Sequence, residues 1–120
     1  MLTEKDYCDY ETCVALEELG FPIRRIKVKG EEKNVPILLY EAQKWLREEK
    51  GMLVDSMVFA DNSIDADGKV VDRWIYYSCA ILNTSTAEFI RSYDQSDEYD
   101  TYEEALSEGI KEAVKILKGE

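Results

Sequence analysis

The chain predicts an α+β fold, in the order helix, β-hairpin, helix, three-stranded antiparallel meander and C-terminal helix, with the helices packed on one side of the sheet. Three observations carry it. Three segments open on Tyr-Glu and continue with apolar residues at helical spacing. The stretches between them are rich in β-branched and aromatic residues and are punctuated by Gly, Asn and Asp. The length of 120 residues is enough to bury one core, so 1–120 reads as a single globular domain.

The first helix, in "DYETCVALEELG", takes Asp9 as its N-cap and stops at Gly20, with Cys13, Leu16 and Leu19 apolar. "PIRRIKVKGEEKNVPILL" follows as a hairpin, its turn placed at "GEEKN". Ile26 and Val28 alternate there with Arg25, Lys27 and Lys29, one face apolar and the other basic. The second helix runs from about Leu39 to Lys50, with Leu39, Ala42, Trp45 and Leu46 on one side and Gly51 as its stop. "MLVDSMVFA", "KVVDRWIYYSCAIL" and "TAEFIRSY" are the three strands of the meander, with "LNTS" before Thr86 as a turn. In the last helix Thr101 and Glu104 form a capping box. Ala105, Leu106, Gly109, Ile110, Ala113, Val114 and Leu117 then make one broad apolar stripe. The shared Tyr-Glu openings need no internal duplication, because an early Glu opposes the positive end of a helix dipole.

Composition bounds the class. An apolar fraction of 45% and a charged fraction of 34% fit a soluble globular protein. No window approaches the ~18 uninterrupted apolar residues of a membrane helix. "MLTEKDYCDY" carries no secretory pattern. The three cysteines, Cys8, Cys13 and Cys79, are too few and odd in number for a disulfide framework. The expected location is the cytoplasm. A net charge of −11 repels phosphate backbones and anionic membranes, so neither direct nucleic-acid binding nor membrane binding is expected.

"DNSIDADGKVVD", residues 61–72, places Ser63, Asp65, Asp67 and Gly68 at the spacing of a calcium loop. The twelfth position of that loop, which needs a bidentate Glu, falls on Trp74, and both flanks read as strands rather than helices. Asp-Gly between strands is a turn signal, and the stretch reads as a turn. No metal or other cofactor is expected. The chain has no histidine, which removes Ser-His and Cys-His nucleophile pairs and the commonest general base. Cys8 and Cys13 have no second pair to complete a zinc site. Neither phosphate-cradling glycine motif is present. Only carboxylate chemistry survives, and no acidic pair stands out by spacing. No catalytic residue is assigned.

Two surfaces remain. From Ser92 to Ile110 the chain carries Asp94, Asp97, Glu98, Asp100, Glu103, Glu104 and Glu108 and no basic residue. Such a run is ordinarily a solvated face. Read as function, it imitates a row of phosphates and docks on a basic nucleic-acid-binding protein. The second surface is the basic strand of Arg24, Arg25, Lys27 and Lys29, which ordinarily protects an edge from pairing. It could also meet an acidic face, on another copy included. Trp74, Tyr76 and Tyr77 add an aromatic contact patch, although aromatics at strand spacing ordinarily belong to a core.

From Leu39 to Leu117 the order helix, three strands, helix is similar to the double-stranded-RNA-binding fold. In that family the final helix opens with lysines, whereas here "DTYEEALSEG" is acidic, so RNA binding does not carry over. "DYETCVALEELGF", "LYEAQKWLREEKG" and "YDTYEEALSEGIKEAVKIL" resemble small proteins of Bacteroides-type gut bacteria and their phages or mobile elements. That resemblance implies a compact α+β domain of about this length in a cytoplasmic setting, and it brings no activity or site residues. The expected function is a small acidic non-catalytic protein-interaction module whose partner is another protein. The alternative is a nucleic-acid-mimicking inhibitor, and a carboxylate-based enzyme comes last.

Overall fold

A computed structural model describes residues 1–94 and 97–119. It has the predicted α+β order. After a single 3₁₀ turn at Glu4–Asp6, α1 (Tyr10–Glu18) starts where Asp9 accepts a hydrogen bond from the Thr12 amide at 2.8 Å. Cys8 precedes that cap and Cys13 is the fourth helical residue, the two positions that commonly staple a helix start. Accordingly the Cys13 thiol donates to the Cys8 carbonyl at 3.7 Å.

β1 (Arg25–Val28) and β2 (Glu31–Asn34) form the expected hairpin with a shifted turn. Lys29 and Gly30 both have positive φ, at 51° and 82°, which gives a two-residue primed turn whose twist matches the strands. Glu31–Asn34, assigned to the turn from sequence, are therefore the second strand. All eight strand residues are exposed. The register also mixes the two faces: Lys27 lies opposite Glu32, and Ile26 opposite Lys33. Two ion pairs tether the hairpin, Arg24 to Glu41 of the helix that follows it at 2.8 Å and Arg25 to Glu17 of α1 at 2.9 Å.

α2 (Leu39–Lys50) ends at Gly51, where φ is 63°. The sheet follows in the order β3 (Met52–Ile64), β4 (Val70–Asn83), β5 (Glu88–Arg91), antiparallel throughout. α3 (Tyr102–Leu117) closes the chain. Its cap differs from the box read in sequence. Thr101 accepts from the Glu104 amide, but the Glu104 carboxylate takes the amide of Asp100, not that of Thr101.

One face of the sheet holds the core. Met52, Val54 and Ile81 pack against Leu16 of α1, Leu39, Ala42 and Leu46 of α2, and Leu106, Ile110, Ala113 and Val114 of α3. Each fully buried aliphatic side chain contributes about 1.5–3 kcal/mol. The six expected stripe residues from Ala105 to Val114 are all buried, and Leu117 is partly so. On the opposite face, the segment after β5 folds back. Tyr93 meets Phe59 edge-on at 6.1 Å and donates to Asp55, and Tyr99 bridges Tyr77 at the β4 edge.

The sheet is longer than its cover. α3, at 16 residues, spans about 24 Å, whereas the 14 residues of β4 span about 46 Å. β3 also continues past Ala60 to Ile64, leaving only Asp65–Lys69 as the turn. The distal part of the β3–β4 ribbon consequently leaves the core as an arm, and the molecule measures 67 × 40 × 21 Å. Among the described residues no helix is long and apolar enough to cross a membrane.

Candidate interaction site on the projecting arm

The alternation of strand side chains sorts the arm into two faces. Val58, Ala60 and Asn62 of β3 pair with Tyr77, Ile75 and Arg73 of β4, on the face that carries the helices nearer the core. Met57, Phe59 and Asp61 pair with Ser78, Tyr76 and Trp74 on the reverse face, and Ser63 with Asp72 beyond them. Large apolar residues are exposed on both faces: Val58 at 53% and Ile75 at 66% on the first, Met57 at 40% and Trp74 at 39% on the second. Ile64, Val70 and Val71 are exposed towards the tip.

Trp74 and Tyr76 part company. Tyr76 stacks on Phe59 at 5.4 Å and is buried, whereas Trp74, one step further out, has no aromatic ring partner among the described residues and is 39% exposed. Desolvation, then the carboxylates of Asp61 and Glu98, pushes the Tyr76 hydroxyl up from its ordinary range. The Tyr93 hydroxyl is pushed up to about 12 by burial first and the neighbouring Asp55 carboxylate second.

Side-chain hydrogen bonds show which backbone groups of β3 point outward. Gln43 donates to the Val54 carbonyl at 2.8 Å, Asp55 accepts from the Ser56 amide and Asp61 from the Asn62 amide. The even-numbered residues thus face outward, and an aspartate or Gln43 occupies three of them, as natural edges are commonly blunted. Val58 and Ala60 lie between these caps. Among the described residues nothing in the chain hydrogen-bonds their outward N–H and C=O groups.

The acidic segment is not a row of free carboxylates. Asp97 joins Glu112 of α3 in holding the half-buried guanidinium of Arg91. The Asp94 amide donates to Ser78, while Glu98 and Asp100 are exposed. In the basic hairpin Arg25 is taken by Glu17, and Lys27 and Lys29 extend into solvent. The basic hairpin is thus tied to α1 and α2, whereas Trp74 lies on β4. At the arm tip, Asp65 spends its carboxylate on the amides of Asp67 and Lys69, at 2.9 and 3.0 Å, and Gly68 takes φ of 80°. "DNSIDADGKVVD" is a turn at the end of a hairpin.

Among the described residues no group of three His, Cys, Asp or Glu is placed to hold a metal. A groove of about 710 Å³ between the N-terminal turn and α3 mixes Glu4, Asp9, Glu103 and Glu108 with Lys5 and Lys111. Lys111 is held there by Asp9 at 3.1 Å. Burial pushes the Cys8 thiol up to about 12 and the Cys79 thiol up to about 11, which leaves both weak nucleophiles.

Of the arm's candidate residues, sequence reading named Trp74 and not Met57, Val58, Ala60, Asp61 or Ile75. The signal was the length of two adjoining strands, which exceeds what helices of 12 and 16 residues can cover. No protein-family model, curated protein or solved structure matches the chain.

Proposed function

We propose that the protein is a non-catalytic protein-interaction module that docks through the β3–β4 arm. One observation carries the reading: beyond Tyr76 the arm exposes large apolar side chains on both faces and buries none of them against the described residues. Exposed apolar patches of this kind mark contact surfaces, and a long open strand edge invites another strand. The charge of −11 favours a protein over a nucleic acid or an anionic membrane. Support for the non-catalytic part comes from the missing histidine, the raised thiol pKa values and the use of Asp65 in its own turn. Free, largely buried cysteines fit a reducing compartment such as the cytoplasm.

The nucleic-acid mimic is the second reading. Glu98 and Asp100 favour it, because they stay exposed beside the arm, but Asp97 is already neutralised by Arg91.

The test is a shortened chain in which Asn-Gly replaces residues 60–75, joining the paired Phe59 and Tyr76. Both chains are used as bait in host lysate at low and high salt. The expected result is a protein retained by the full chain and lost with the arm. Identical retention by the two baits would refute docking through the arm. Retention of a basic nucleic-acid-handling protein by both, released by salt, would favour the mimic.

A further inference from the structure

The arm's two faces differ in chemistry, and that difference selects a partner. The first face carries Val58, Ala60 and Ile75, flanked by Tyr77 on the core side and by Asn62 and Arg73 towards the tip, with no carboxylate. The reverse face carries Met57, Phe59 and Trp74 together with Asp61 and Asp72 and no basic residue, the arm's one strand cation, Arg73, lying on the first face. Between the faces lies the uncapped edge at Val58 and Ala60, bounded by the aspartate-capped amides of Ser56 and Asn62.

A strand added to that edge would send alternate side chains to opposite faces. One set would meet Val58, Ala60 and Ile75, where an apolar group gains most. The other would meet Asp61 and Trp74, where a cation gains from the carboxylate and the indole face together. Resting on the docking role of the arm, we infer that the β3 edge at Val58–Ala60 is a strand-addition site for an extended, alternately basic and apolar segment of a partner protein. Charge complementarity is the argument for this occupant. This chain's own β1, Arg25-Ile26-Lys27-Val28, has the same alternation. A second copy, however, brings another −11 with it, so its approach is repelled where that of a basic partner is attracted.

The probes are three end-blocked peptides of equal length: alternating Arg-Val, alternating Glu-Val, and a block peptide with all arginines before all valines. Trp74 reports binding by fluorescence in a Trp45→Phe background, since Trp45 packs against Phe21 in another part of the molecule. The alternating basic peptide is expected to bind at least about tenfold tighter than either control. Ala60→Pro, which removes one outward amide and is tolerated on an edge, should weaken it about tenfold. Asp61→Lys with Asp72→Lys should do the same while leaving the outward amide and carbonyl groups of Val58 and Ala60 in place, although it also uncaps the Asn62 and Arg73 amides. Equal binding of the alternating and block peptides would reduce the effect to bulk charge and overturn the proposal. Absence of binding by all three would do so as well, as would a wild-type chain that sediments alone as a dimer with its edge occupied. If the arm-dependent protein partner persists while these peptides fail, docking through the arm survives and only the partner chemistry falls.

Discussion

Gly109 sits where α3 crosses the sheet. A Cβ there would lie 2.7 Å from Val54 Cγ1 and 3.2 Å from Cys79 Cβ. Val54 and Cys79 are almost wholly buried, and a β-branched neighbour has little rotamer freedom with which to give way. Gly109→Ala gains about 1 kcal/mol of helix propensity but meets overpacking worth about 1–3 kcal/mol. The expected net is destabilisation, read as a lower denaturant midpoint, and an unchanged or higher midpoint would show that α3 shifts at no cost. Asp9 ties two helices at once, capping α1 and meeting Lys111 of α3. The hydrogen bonds from Thr12, then the Lys111 contact, hold its pKa below the ordinary aspartate value against partial burial. A depressed folded pKa contributes stability that is present above the unfolded value of about 3.9 and lost as pH falls through the folded one. Asp9→Asn keeps a capping oxygen and removes the charge. Its deficit against wild type in thermal unfolding should therefore be present at neutral pH and vanish in strong acid. A deficit that stays constant with pH would assign it to the cap alone.

At the scale of elements, the contrast is between a ribbon that supports the core and one that leaves it. The part of β3–β4 nearer the helices contributes Met52, Val54, Cys79 and Ile81 to the buried interior, whereas residues 60–75 contribute none. Replacing 60–75 by Asn-Gly should consequently leave the thermal midpoint within a few degrees of wild type, since about 1 kcal/mol shifts a domain of this size by roughly 4–8 °C. A loss of cooperative unfolding would mean that the arm is part of the core's stability. The basic hairpin is a second projecting ribbon of a different kind. Two strands without a covered face are marginal alone in water, so its ion pairs to Glu17 and Glu41 matter more here than surface pairs ordinarily do.

For the whole molecule the measurable consequence is shape. The Cα radius of gyration is 17.7 Å, against about 14 Å for a compact domain of this length. Small-angle scattering of the full chain should return the extended value, and the shortened chain should approach the compact one. Equal values for the two would show the arm folded back in solution.

The helices were legible because a 3.6-residue stripe and its caps are local: Asp9, Thr101, Gly51 and the run from Ala105 to Val114 all stand where periodicity puts them. The order of strands was legible for the same reason, and so was the turn at Asp65–Lys69, although the short hairpin's turn moved to Lys29-Gly30, which both take positive φ. Sequence by itself could not tell Tyr76 from Trp74, two residues apart on one strand, because burial depends on which neighbour reaches each ring. Phe59, itself met by Tyr93, stacks on the first, and the second has no ring partner among the described residues. Nor could it tell that Asp97 spends its charge on Arg91 while Asp61 covers a strand amide. Local chemistry determined the elements and their succession. Tertiary structure alone decided which apolar residues are covered, because cover depends on the reach of helices fixed elsewhere in the chain, and those helices end before the sheet does.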